Sequence, residues 1–151
     1  MKVDVKEAEK YLRKWQEILR FQDWDIKLHI VDTQWRKTGD IKIDRDNRNA
    51  ILMLNGHNPK RLNIEGVVIH ELMHLRLWDM DQMIEELIIT VFGQDESNPG
   101  YNFAYGKFME TLERTTEEIS RSFLQLKGEN KEISYGKLEV QVKEEVKNNR
   151  V

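Results

Sequence analysis

Apolar residues recur at three- and four-residue steps near the start of the chain: Val5, Ala8, Leu12, Trp15, Ile18 and Leu19. That period predicts a helix over Asp4 to Phe21, with Asp4 placed to cap it and Trp15 and Phe21 as core anchors. Asp23-Trp24-Asp25 breaks the period, and a two-residue alternation follows. Ile26, Leu28 and Ile30 alternate with Lys27, His29 and Val31, which predicts a strand with one buried face and His29 on the polar side. Ile41 and Ile43 alternate with Lys42 and Asp44 over Gly39 to Asp44, and Ala50 to Asn55 is a more continuous apolar run. Asp46-Asn47-Arg48-Asn49 is turn chemistry between the last two. The short connections predict a small, mainly antiparallel sheet.

A loop over Asn55-Gly56-His57-Asn58-Pro59 leads into a second helical stretch. Asn58 with Pro59, or Asn63, can start it, and it should end near Trp78-Asp79. Asp81 opens another helix with Met83, Ile84, Leu87, Ile88 and Val91 on one face. Glu85 and Glu86 flank that face at nearly equal angles. After a loop over Gly93 to Gly100, Tyr101 to Lys127 reads as a long amphipathic helix with Phe108, Leu112, Thr115, Ile119, Phe123 and Leu126 in step and Gly128 as its cap. At 1.5 Å per residue it spans about 40 Å, enough for part of it to pack on another copy of the chain. Glu129 to Val151 carries a short alternating run (Ile133, Tyr135, Leu138, Val140, Val142) and reads as a loose strand or a disordered tail. The pattern therefore predicts an α+β domain over residues 1–128 followed by a tail over 129–151.

The second helical stretch holds the chemistry. Val67-Val68-Ile69-His70-Glu71-Leu72-Met73-His74-Leu75 places His-Glu-x-x-His inside an otherwise apolar helix. Residues four apart lie one above the other, so His70 and His74 can present two imidazoles to one metal ion. Glu71 sits about 100° round, within reach of a water at that metal. Polar groups on a buried helix must be satisfied, and a zinc site supplies the reason for three of them. Catalytic zinc commonly takes three protein ligands and leaves a fourth position open. The third must come from elsewhere, and the following helix offers Glu85 or Glu86.

Composition narrows the classes. The chain has 151 residues and a net charge of -3, so no global basic field recruits nucleic acid or anionic lipid. Charged residues make up 34% and hydrophobic ones 39%, the balance of a folded domain with a charged surface. The absence of cysteine excludes a disulfide framework, a Cys-ligated zinc module and a thiol nucleophile, and it fits a reducing cytoplasm. The charged start, Met1-Lys2-Val3-Asp4-Val5-Lys6, has no apolar stretch after it, and no later window approaches a membrane span.

With these residues in place, the chain resembles the zincin metallopeptidases, specifically the gluzincin branch. Asp79, Met80 and Asp81 stand where a metzincin would carry its Gly and third His. The resemblance covers Trp24 to about Phe92 and is strongest to small phage and bacterial proteins of metallopeptidase type and to minigluzincins. It implies a zincin-like fold in which Ala50 to Leu54 is the edge strand along which a peptide lies. It also implies a zinc-dependent peptidase acting on an intracellular protein or peptide, with Glu71 as the general base. Similarity to the metallopeptidases that cleave phage repressors favours Glu86 as third ligand, since Glu86-Leu87-Ile88-Ile89-Thr90-Val91-Phe92 keeps their Glu and Phe but not their Ala-Asn. Tyr101 and Tyr105 are candidates to steady an oxyanion. The competing class is a latent or non-catalytic zinc-containing module that binds a protein partner, with the tail in the cleft.

Overall fold

A computed structural model describes residues 3–133 and 135–149. The charged start at Met1 and Lys2 and the last two positions of the tail, Arg150 and Val151, lie outside the described residues. The elements run α1 (Val5–Ile18), β1 (Asp25–Val31), β2 (Gly39–Asp44), β3 (Asn49–Asn55), α2 (Ile64–Arg76), α3 (Trp78–Phe92), α4 (Pro99–Lys127) and α5 (Gly136–Asn148). The architecture is α+β. Among the described residues no helix is long and apolar enough to cross a membrane.

The sheet is mixed rather than mainly antiparallel. Its order is β1-β3-β2, with β3 parallel to β1 and antiparallel to β2. Ala50 to Leu54 is therefore the central strand, not the edge. The reason lies in the side chains. β3 is the most apolar of the three and buries Ala50, Leu52 and Leu54, so the centre is where its backbone finds partners on both sides. The charged strands take the edges, with Lys27 on β1 and Asp40 and Lys42 on β2. Ile26 and Ile41 join Leu52 on the inner face. Lys27, His29 and Lys42 stay exposed on the outer one.

α1 and α2 cover the inner face. Asp4 caps α1 by accepting from the amides of Lys6 and Glu7. Ala8, Leu12 and Trp15 are fully buried there, at the periodic positions. Asn63 starts α2, accepting from the Gly66 amide, and Val67, Val68, Ile69, Leu72 and Leu75 drive that helix into the core. α4 packs along α2 through Leu112, Thr116, Ser120 and Leu124, a stripe with a four-residue step. Two of those four positions are small and polar, which lets the helices approach closely.

The tail differs from the expectation of a loose strand. Gly136–Asn148 is helical; a run of Lys, Glu, Gln and Leu favours helix, and no strand partner is at hand. Among the described residues, no other helix or strand packs closely against α5. The turn before it is held by Glu65, a fully buried carboxylate on the first turn of α2. Glu65 accepts from Lys14 Nζ at 2.7 Å, Trp15 Nε1 at 2.8 Å and the amide of Glu129 at 2.8 Å. One side chain thus ties α1, α2 and the segment after α4 together.

Candidate metal centre

His70 and His74 leave α2 on the side that faces α4. Their Nε2 atoms lie 3.2 Å apart. Glu113, from the middle of α4, brings Oε1 to 3.0 Å from His74 Nε2 and Oε2 to 3.4 Å from His70 Nε2. Among the described residues these three form the group of ligand atoms that converges on one point. In a tetrahedral zinc site with bonds of about 2.0–2.1 Å, neighbouring ligand atoms stand about 3.3 Å apart. The two imidazole nitrogens stand at about that distance, 3.2 Å, each has a Glu113 oxygen (Oε1 for His74, Oε2 for His70) at 3.0 or 3.4 Å, and one ligand atom from each residue lies within 4.8 Å of the other two. Two neutral imidazoles and one carboxylate are also a donor set that zinc accepts. The residues present therefore fit the ion.

A carboxylate stands behind one of the histidines. Glu117, one turn on from Glu113, accepts from His70 Nδ1 at 2.8 Å. In the neutral ring that bond keeps the proton on Nδ1 and leaves Nε2, which faces His74 and Glu113, as the nitrogen able to ligate. Arg61 and Arg121 both donate to Glu117 Oε1, at 2.7 and 3.0 Å. Hydrogen bonding to His70 and the flanking Arg61 hold the Glu117 carboxyl well below the usual range, against the opposing effect of burial. Hydrogen bonds from His70 and His74 likewise hold Glu113 far below it. Burial works to lower the His70 pKa, but Glu113 and Glu117 outweigh it and raise it to about 9 in the metal-free protein.

Glu71 behaves in the opposite way. It is 7% exposed and has no hydrogen-bond partner among the described residues. Burial pushes its carboxyl up to about 6, while His70 and His74 pull the other way. β2 starts directly over it. A Cβ on Gly39 would stand 2.7 Å from Val67 Cγ1 and 3.1 Å from Glu71 Oε1, so only glycine lets the strand cross here. Asn55 fixes the approach to that crossing, donating to the carbonyls of Trp35 and Lys37.

The residues expected from sequence divide into two sets. His70, His74 and Glu71 come together on α2. Glu86 does not join them: its side chain is exposed on α3. Glu85 instead accepts from Gln82. The cause is helix packing, since α4 lies along α2 whereas α3 turns away after Leu77 and touches α2 much less. Tyr101 and Tyr105 stack on each other with ring centres 5.6 Å apart, and His57 is exposed in its loop. Glu113 and Glu117 were not anticipated. The signal available for them was a pair of glutamates four apart on α4, beside the small residues Thr116 and Ser120. Comparison with family models, curated proteins and solved structures gave no match to this chain.

Proposed function

We propose that the protein is a zinc-dependent peptidase of zincin type, with His70, His74 and Glu113 as metal ligands and Glu71 as general base. Glu113 takes the part that the sequence resemblance suggested for Glu86. The observation that carries the reading is Glu71, a residue only 7% exposed, one position along α2 from the convergent ligand atoms of His70, His74 and Glu113. Zinc bound there would supply Lewis acidity, polarising a carbonyl and making a water more acidic. The chain's own part is proton handling. With its pKa raised to about 6, Glu71 is ionised at neutral pH yet basic enough to accept a proton from water. It then gives that proton to the leaving amine. Glu117 holds His70 in one tautomer and one orientation throughout. The expected path for a peptide is the free edge of β2, whose Gly39 end lies at Glu71. There an extended substrate adds as a further strand. The cysteine-free composition suits a reducing cytoplasm and an intracellular substrate.

The test is Glu71→Gln. The variant should keep stoichiometric zinc and the fold while peptide turnover falls by at least ~10²-fold, the size of a lost general base. Loss of zinc from the variant would contradict the role. Wild-type protein that holds zinc and cleaves no peptide in a diverse library would point to a non-catalytic zinc module.

A further inference from the structure

A groove of about 590 Å³ opens between the loop before α2, the first turn of α2, the neighbouring side of α4 and the start of α5. Glu117, which accepts from His70, lines it, so the groove adjoins the candidate metal centre through that side chain, while His70, Glu71, His74 and Glu113 do not line it. Its charge runs against that of the chain. Lys60, Arg61, Arg121 and Lys137 line it with only Glu117 and Glu132 in opposition, four cations to two carboxylates, in a protein of net charge -3. Arg61 and Arg121 each direct one nitrogen to Glu117. A guanidinium has five donors, so both keep others to offer. Lys60 and Lys137 are exposed and form no ion pair with a described residue. Val67 and Leu124 floor the groove between them.

We propose that this groove is a recognition site for an acidic segment of the polypeptide whose bond is cleaved at the adjacent centre. The proposal rests on the peptidase reading for the word cleaved, and on the groove alone for the word acidic. Lys60 and Lys137 meet side-chain carboxylates at the rim, and the free donors of Arg61 and Arg121 meet one deeper in. The apolar floor takes the intervening side chains. Partial enclosure makes such pairs stronger than open surface pairs while leaving them sensitive to salt.

The test compares two fluorescein-labelled peptides, one carrying several glutamates and its glutamine counterpart, for binding to the full chain by anisotropy. It is run on zinc-loaded Glu71→Gln protein and on metal-free wild type. The glutamate peptide should bind at least about 5-fold more tightly in both, with the margin shrinking as salt rises. The exposed double substitution Lys60→Glu and Lys137→Glu should reverse the ranking. Equal binding of the two peptides, or a preference that survives the reversal, would overturn the proposal. Tighter binding of a single-stranded oligonucleotide than of the glutamate peptide would overturn the peptide assignment. Cleavage of neutral peptides without charge preference would sink the groove and leave the peptidase standing. Charge-selective binding with no peptide cleaved would do the reverse.

Discussion

Among single residues, Glu113 carries the largest departure from the sequence expectation. His70, Glu71 and His74 were legible because their relation is local: four residues on one helix fix a shared face. Glu113 lies 39 positions beyond His74, and only the packing of α4 on α2 brings it in. No periodicity on either helix encodes that distance. The nearest downstream glutamates, Glu85 and Glu86, are placed by sequence on a helix whose polar face the structure turns elsewhere. Glu113→Ala should therefore weaken zinc binding by about 10-fold or more, the order expected when a three-ligand site loses its anion. Glu86→Ala should leave affinity nearly unchanged. Competitive titration of both variants against a chelator reads the two outcomes, and the opposite pattern would return the third ligand to α3.

For whole elements, the alternation rule located all three strands but not their order. Residues Ile26, Ile41 and Leu52 reveal which face is buried, whereas neighbour choice depends on edges. β3 sits between β1 and β2 because its apolar run belongs where both backbone edges are paired. The periodicity of α3 misled in another way. Its apolar stripe reads as a core face, yet only Ile88 is buried while Met83, Leu87 and Val91 are 61%, 59% and 63% exposed. Glu65 shows what periodicity never reports, a charge in the core. Burial opposes its ionisation, but Lys14, Trp15 and the amides of Glu129 and Asn130 hold its carboxyl below the usual range. Removing it strands the Trp15 indole N–H and those amides without their acceptor. Glu65→Ala should cost about 3 kcal/mol of stability, as expected for orphaned buried donors and a partly buried Lys14. Chemical denaturation checks this. A loss under about 1 kcal/mol would mean that the clasp between α1, α2 and the tail is not structural.

Taken as a whole, the molecule should respond to pH with opposite signs in its two metal states. His70 has its pKa raised to about 9 in the folded, metal-free chain. Its contribution to stability is thus fully present below the unfolded value of about 6.5 and is lost as pH rises through 9. Glu71, raised to about 6, acts in the same direction at lower pH: its burial costs nothing while protonated and destabilises once ionised. Metal-free protein should therefore lose thermal stability between pH 6 and 9. Zinc needs the same His70 proton gone, so stabilisation by added zinc should grow over that interval. Calorimetric melting with and without zinc across the range would show the two curves diverging. A metal-free Tm that climbs toward pH 9 would contradict the assigned His70 environment.

The central claim is that helices α2 and α4 together build a zinc site in which His70, His74 and Glu113 are the ligands and Glu71 is not. Anomalous diffraction at the zinc edge from zinc-loaded crystals tests it most directly. The account predicts one strong peak within about 2.0–2.2 Å of His70 Nε2, His74 Nε2 and a Glu113 carboxylate oxygen, with Glu71 outside bonding distance. A peak bounded by Glu86 or Glu71 in place of Glu113, or no peak between the two histidines, would contradict it.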